Sequence, residues 1–312
     1  MARRGRGNVP AMTDISHYSG TAFDRAGQRR RDDAWIATRL NDPLTRLVLV
    51  WRGRSLMRGR EPAYLESAAG WHLIDSAPSA PIFLGIDERH ALFALDLSHL
   101  EEDDIVDLVP GAAFIELYGV ATQLMRREAS LLTHAAWMVH WSARHRFCGA
   151  CGHANRPMDG GHMRKCSNPA CGMMHFPRTD PAVIVVVEHE GRCLLARQQG
   201  WPDNLHSCLA GFVEPGESAE ETVAREVKEE AGLTVRDISA RGSQPWPYPC
   251  SLMLGFWART DDAALDLADD ELAHAAWYSR AQLADPEALG IRLPRHDSIA
   301  RRLIDDWVAL GD

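Results

Sequence analysis

Three glutamates, Glu226, Glu229 and Glu230, stand three and four residues apart, so a helix would bring their carboxylates onto one face. Like charges at that spacing cost a helix about a few tenths of a kcal/mol. Hard divalent cations, Mg2+ or Mn2+, are the natural reason to gather oxygen ligands there. The neighbouring residues specify the helix. Pro215 and Gly216 make a turn, Ser218 and Glu221 form a capping box, Val223 and Val227 give a buried edge, and Gly232 ends it. Specified ends set this stretch apart from an ordinary solvated helix rich in glutamate.

A second constellation is made of sulfur. Cys148-Gly-Ala-Cys151 and Cys166-Ser-Asn-Pro-Ala-Cys171 are two knuckles separated by a short polar stretch, a spacing that lets four thiolates converge on one Zn2+. A closed set of four has no open coordination position, so the zinc is structural. Gly149, Gly152 and Gly172 relieve crowding where backbone amides turn toward sulfur, and His153, His162 and His175 are nearby substitutes should one cysteine not be a ligand. Cys193, Cys208 and Cys250 read as small apolar fillers, with no base in view to make them nucleophiles.

The elements that must position these groups belong to a chain of 312 residues, long enough for two or three domains. Hydrophobic residues at 46% and ten tryptophans exclude a wholly disordered or collagen-like chain. A net charge of −9 gives no chain-wide basic footprint, so any RNA contact must be local. No apolar run is long enough to span a membrane, and an odd cysteine total with four clustered suits a metal site better than secreted disulfides, which together predict a cytoplasmic protein.

The expected architecture is α+β and multidomain. Residues 1–33, rich in Arg, Gly and Ser, form a mobile terminus. Residues 34–145 form a β-rich domain, with strands at 47–51, 82–86 and 91–97, a solvated acidic run at 101–104, and a closing helix over 118–144 with Leu124, Leu131, Ala135 and Met138 on its inner face. Residues 146–177 are the zinc ribbon. Residues 178–312 open on the β-branched strand 183–187 and close on a helix whose inner face carries Ile299, Leu303, Trp307 and Leu310.

Gly211, Glu217, Arg225, Glu226, Val227, Glu229, Glu230, Gly232 and Leu233 match, without departure, the pattern G-x5-E-x7-R-E-U-x-E-E-x-G-U with U aliphatic. On these residues the chain resembles the Nudix hydrolases. The resemblance implies an α/β/α sandwich and hydrolysis of a nucleoside diphosphate linked to another moiety. Ten residues on, Ser243-Gln-Pro-Trp-Pro-Tyr-Pro-Cys-Ser251 places three alternating prolines in a stiff loop that is neither helix nor central strand, and offers two flat rings. It is similar to the S-Q-P-W-P-F-P-x-S marker of the NADH pyrophosphatases, a Nudix subgroup with the same domain order over nearly the whole chain. Tyr248 replaces the marker phenylalanine, and the second knuckle holds four residues between cysteines where two are common.

That resemblance implies a metal-dependent cleavage of NAD(H) to nicotinamide mononucleotide and AMP, removal of the NAD cap from RNA 5′ ends, and a homodimer. It implies Glu226, Glu229, Glu230 and Glu271 as catalytic metal ligands, joined by the Ala210 carbonyl. Phe176 and Phe212 would contact the nicotinamide end, and Gln244, Pro245, Trp246, Pro247, Tyr248, Pro249, Cys250 and Ser251 would line the substrate. Arg225 would orient the glutamates. The alternatives are a broader dinucleotide or ADP-ribose pyrophosphatase, or a catalytically silent ligand sensor.

Overall fold

The computed structural model describes residues 17–20, 23–267 and 271–311. Of the terminus expected to be mobile, residues 1–16 and 21–22 lie outside them. By their internal contacts the described residues form two units, 17–179 with 247–250, and 180–246 with 251–311.

In the first unit, α1 (Asp33–Leu40) starts where the Asp32 carboxylate accepts the Trp35 N–H. It is followed by β1 (Arg46–Trp51), β2 (Arg54–Arg58), β3 (Glu61–Pro62), β4 (Tyr64–Glu66), α2 (Trp71–Ser76), β5 (Ile82–Asp87) and β6 (His90–Asp96). Then come α3 (Glu102–Val106), β7 (Ala113–Ile115), α4 (Leu117–Val120) and α5 (Arg126–Arg144). The sheet order is β3-β2-β1-β6-β5, with β4 added on β1 and β7 on β2, and β1 runs parallel to β6. The apolar runs are continuous because both sheet faces are covered. Leu47, Leu49, Phe83, Phe93 and Leu95 share one core with Ile105 and Phe114, while alternation turns Val48, Val50 and Leu92 to the other face, where α5 packs.

The closing helix begins at Arg126 rather than near 118. Leu124 and Met125 are extended, and the Glu128 carboxylate accepts the Met125 N–H, which fixes the start there. Leu124 stays buried outside the helix. The ribbon, β8 (Asn155–Met158), β9 (Met163–Cys166) and β10 (Met174–His175), is a small antiparallel sheet. It is tied to α5 by Arg164, 3% exposed, whose guanidinium donates to Ser142 Oγ at 2.6 Å and Ser79 Oγ at 3.1 Å.

The second unit is a six-stranded mixed sheet between helices. Its strands are β11 (Asp180–His189), β12 (Arg192–Gln198), β13 (Leu209–Phe212), β14 (Val235–Trp246), β15 (Ser251–Thr260) and β16 (Leu272–Ser279), in the order β14-β15-β11-β12-β16 with β13 on β11. Strand alternation assigns the two faces. Val183, Val185 and Val187 pack against Val223, Val227 and Ala231 of α6 (Ala219–Ala231), whereas Ile184 and Val186 pack against Ile299, Leu303 and Trp307 of α8 (Ile299–Ala309). Between them α7 (Arg280–Ala284) leads into a 3-10 turn. Leu310 does not join the inner face of α8. The helix stops at Ala309, and Leu310 is 61% exposed. Residues 243–246 are strand, not loop: Pro245 stands opposite Leu252 of β15, and β14 is the sheet edge, the position in a sheet that tolerates proline because no second strand needs an N–H from it.

One cluster in the first unit makes stability depend on pH. His162 Nδ1 accepts from Arg30 at 3.1 Å and its Nε2–H donates to the Phe83 carbonyl at 2.7 Å, which fixes a neutral tautomer. Burial pushes His134, beside it at 5.7 Å, down to about 2, helped by Arg25, His162 and Arg30; burial and Arg30 push His162 down to about 4. Unfolded histidine titrates near 6.5. The unfolded chain therefore binds more protons below that pH, and stability present above it is lost as pH falls toward 4. The melting temperature should fall between pH 7 and pH 5, and His134→Leu should flatten that fall. An unchanged slope in the variant would show that the cluster does not carry it.

Candidate active site

The helix carrying the glutamates forms where its spacing places it. Ser218 Oγ accepts the Glu221 N–H at 3.2 Å and the Glu221 carboxylate accepts the Ser218 N–H at 2.7 Å. At the other end Gly232 adopts φ 73°, a left-handed cap. With Val223 and Val227 fully buried, Glu226 and Glu229 are turned away from the core, while Glu230 is 1% exposed.

The carboxylates are organised by one guanidinium. Arg225 Nε and Nη2 hold Glu217 at 2.6 and 2.9 Å, Nη1 reaches Glu226 Oε1 at 2.8 Å and Glu229 Oε2 at 3.0 Å, and Nη2 also donates to the Phe212 carbonyl at 2.9 Å. Five bonds from a planar fork lock the side chain between the loop, the helix and β13. Glu217 is held down to about 2, first by Arg225 and then by the Glu214 N–H and the Thr222 hydroxyl. Burial raises Glu226 above the ordinary carboxyl range; Arg225 draws it back, while repulsion from Glu229 and Glu271 pushes it further up.

Gly211 supplies the space. A Cβ built there would lie 1.9 Å from the Glu226 carboxyl carbon, so the carboxylate rests against bare backbone of β13. Hard oxygen donors pressed together against their own repulsion fit a hard divalent cation. Among the described residues the glutamates do not close on one point as the cysteines do; Glu226 and Glu229 share Arg225.

The other expected residues are placed as follows. Ala210 sits on β13 beside Gly211, opposite Ile184, and Glu271 is exposed immediately before β16, acting on Glu226 through charge. Phe212 is 60% exposed and Phe176 61%, in different units. Pro245 and Trp246 are half-buried on β14, and Ser251, buried, pairs with Trp246 across the hairpin. Pro247, Tyr248, Pro249 and Cys250 group with the first unit, where the Tyr248 ring stands edge-on to Tyr18 and Tyr118. Gln244, expected at the ligand, is 1% exposed: its Nε2 donates to the Asp297 carbonyl at 2.7 Å and its Oε1 accepts the Ile299 N–H at 2.6 Å. It satisfies an orphan donor at the start of α8. Sequence reasoning gave Gly211 and Glu217 no role; their signal was their place in the fixed spacing around Arg225. Cys193, Cys208 and Cys250 are buried, and burial pushes Cys208 up to about 12.

The four knuckle cysteines bring one sulfur each within 4.8 Å of the others. Cys148 and Cys171 are 3.8 Å apart and Cys151 and Cys166 3.4 Å, against about 3.8 Å for the edge of a zinc–thiolate tetrahedron with ~2.3 Å bonds. Each sulfur receives the backbone N–H two residues on, from Ala150, His153, Asn168 and Met173 respectively. Cys151 is drawn down to about 6, first by the His153 N–H. The same local pattern recurs at both knuckles, so the longer second one bulges without losing a ligand.

Comparison with known families agrees with this division of the chain. Residues 177–303 match the NUDIX domain, 44–141 an NADH pyrophosphatase-like rudimentary NUDIX domain, and 143–176 the NADH pyrophosphatase zinc ribbon domain. The chain is similar to the NAD-capped RNA hydrolase NudC of Mycobacterium bovis, strain BCG / Pasteur 1173P2, at 38% identity over 95% of this chain and 97% of that protein. It is 37% identical to NudC of Mycobacterium tuberculosis H37Rv with the same coverage, and 28% identical to human NAD-capped RNA hydrolase NUDT12 over 95% of this chain and 74% of that protein.

The ribbon thus takes structural zinc. Its polar sheet has little core of its own, so metal binding and local folding are one event. Cys166→Ser should lose the bound zinc in elemental analysis and lower the melting temperature or cause aggregation. Full zinc content in that variant would show that the ligand set is wrong.

Proposed function

Because the chain belongs to the Nudix hydrolases, in the group that joins a rudimentary Nudix domain and a zinc ribbon to the hydrolase domain, we propose that its substrate is NAD(H), cleaved at the pyrophosphate to nicotinamide mononucleotide and AMP, and that the same cleavage removes the NAD cap from RNA 5′ ends. One observation carries this reading: similarity to NAD-capped RNA hydrolases extends over 95% of the chain while Glu226 and Glu229 of α6 are oriented by Arg225.

Glu226, Glu229 and Glu230, with the Ala210 carbonyl and Glu271, would hold Mg2+ or Mn2+. The chemistry such a cation supplies is neutralisation of the pyrophosphate oxygens and a lowered pKa for an attacking water. Arg225, spent on five bonds within the protein, positions carboxylates rather than touching phosphate. Its bonds take Glu226 Oε1 and Glu229 Oε2 and leave each carboxylate a second oxygen. Phe212, exposed beside the Gly211 hollow, offers a ring face to nicotinamide. A complete set of acidic ligands argues against a silent sensor, since binding alone does not need mutually repelling carboxylates. Function as a homodimer in the cytoplasm goes with this reading; thiols committed to zinc suit a reducing compartment.

Pyrophosphate is common to every candidate substrate, so discrimination must come from groups that touch the ends of the molecule. NADH, NAD, ADP-ribose and NAD-capped RNA, compared at equal concentration with Mg2+ and with Mn2+, should show cation-dependent cleavage of the NAD(H) compounds to a nicotinamide mononucleotide, with AMP or a 5′-monophosphate RNA. Phe212→Ala should lower catalytic efficiency on these about ten- to a hundredfold, as lost ring stacking would, and affect ADP-ribose, which lacks nicotinamide, much less. Equal losses on all would make Phe212 a packing residue, and ADP-ribose as the best substrate would favour the broader pyrophosphatase.

A further inference from the structure

The ribbon sheet has one buried face and one open face. Arg164 and Cys166 turn inward, with buried Asn155 opposite Cys166, so alternation turns Met163 and Lys165 outward. The cross-strand register then sets Arg156, Lys165 and Met174 in one row across β8, β9 and β10. Phe147 extends the same face, because its backbone bridges to Ala154, two residues before Arg156. Phe147 is 64% exposed and Met174 54%, with Arg156 exposed beside them.

Arg156 and Lys165 stand directly opposite each other, a like-charge pair that costs a sheet stability. Neither has an ion pair among the described residues, and the same holds for Arg144 and for Arg146, which precedes Phe147 at the edge of this sheet. Acids are scarce throughout the ribbon. Residues 143–178 hold six Arg and Lys against one acid, Asp159, in a chain whose net charge is −9, and Asp159 is 3.7 Å from Arg31. Zinc with four thiolates carries two formal negative charges, which reduce this excess without cancelling it. The repulsion between Arg156 and Lys165 is therefore unrelieved among the described residues, and a polyanion laid across the face would relieve it.

We propose that the open face of the ribbon binds the RNA chain behind the NAD cap, with phosphates on Arg156 and Lys165 and an unpaired base on the Phe147 ring. The inference rests on the reading of NAD-capped RNA as a substrate and adds to it a holding surface separate from the glutamates. A single-stranded nucleic acid offers charge and flat bases together, whereas an acidic peptide would use the two cations and leave the exposed ring without a matching group. Anionic membranes are recognised by clusters of ~4–8 cations, more than this row supplies. The acidic balance of the whole chain excludes a general basic footprint and is compatible with a local one.

The test uses the full zinc-loaded chain and a single-stranded RNA with a 5′-monophosphate in place of the cap, its binding followed by fluorescence anisotropy over a range of salt concentrations. Affinity should fall with salt, with a logarithmic slope of about −0.7 for each phosphate neutralised. Arg156→Gln with Lys165→Gln should weaken binding about tenfold and flatten the slope by roughly 1.4, as two lost phosphate contacts would. Phe147→Ala should weaken it about fivefold or more at an unchanged slope, as lost base stacking would. On NAD-capped RNA the double variant should raise KM and keep kcat, with NADH kinetics unaltered. Zinc content and melting temperature check that the ribbon is folded, and Arg156→Gln alone, at an exposed position, should give about half the change in slope should the double variant not fold. Undiminished RNA binding in the folded variants, equal binding of polyglutamate, or an altered mass in solution, which would assign the face to a second copy of the chain, would each overturn the proposal. Absence of NADH cleavage would count against the pyrophosphatase reading instead, because RNA binding is measured without the cap.

Discussion

The second unit turns on the placement of one guanidinium. Glu226 and Glu229 are on the same helix face and repel each other, with Glu226 partly withdrawn from water, an arrangement that a helix would relieve by splaying its side chains. Arg225 prevents this because its fork reaches both carboxylates from a single nitrogen while its other donors are committed to Glu217 and the Phe212 carbonyl. Glu217 is in turn pinned by Thr222 and the Glu214 N–H, so the clamp is anchored on the turn that begins the helix. The bare backbone of Gly211 completes it by leaving room for the Glu226 carboxylate.

This explains why the sheet has two unlike faces. On the α6 side, helix, turn and β13 are stitched by charge-assisted bonds around groups that must stay polar and accessible. On the α8 side, Ile299, Leu303 and Trp307 provide an apolar cover, with Gly255 flat enough to admit Ile299, whose side chain would lie 2.9 Å from an added Cβ. Gln244 joins the two requirements: it belongs to the segment after the glutamate helix, yet its amide fixes the first turn of α8. In the first unit the corresponding anchor is the ribbon, where four sulfurs and the amides turned onto them replace a hydrophobic core that so short a segment cannot build.

Much of this was legible in the sequence, for a physical reason: caps, helical spacing and cysteine knuckles are local codes. The glutamate helix begins and ends at the residues that its capping box and Gly232 mark, and the four cysteines meet as their spacing requires. What was not legible depends on partners far along the chain. Gln244 reads as a ligand contact until Asp297 and Ile299, more than fifty residues on, are seen to take both ends of its amide. The prolines of 243–251 suggest a loop, and only the position of β14 at the sheet edge makes a strand compatible with Pro245. The start of α5 falls at Arg126 rather than near 118, more than two turns later, and α8 ends one residue before Leu310, since periodicity does not see a competing backbone bond such as that between Glu128 and Met125.

The most direct test of this account is the Mn2+ affinity of Arg225→Gln beside the unaltered protein, read by electron paramagnetic resonance with melting temperature as the control for folding. If Arg225 holds Glu226 and Glu229 in a cation-binding arrangement, Mn2+ should bind about ten- to a hundredfold more weakly, the usual cost of losing a group that orients metal ligands, while the protein remains folded. Unchanged or tighter binding would contradict the account, because it would mean that Arg225 competes with the cation for these carboxylates instead of presenting them to it.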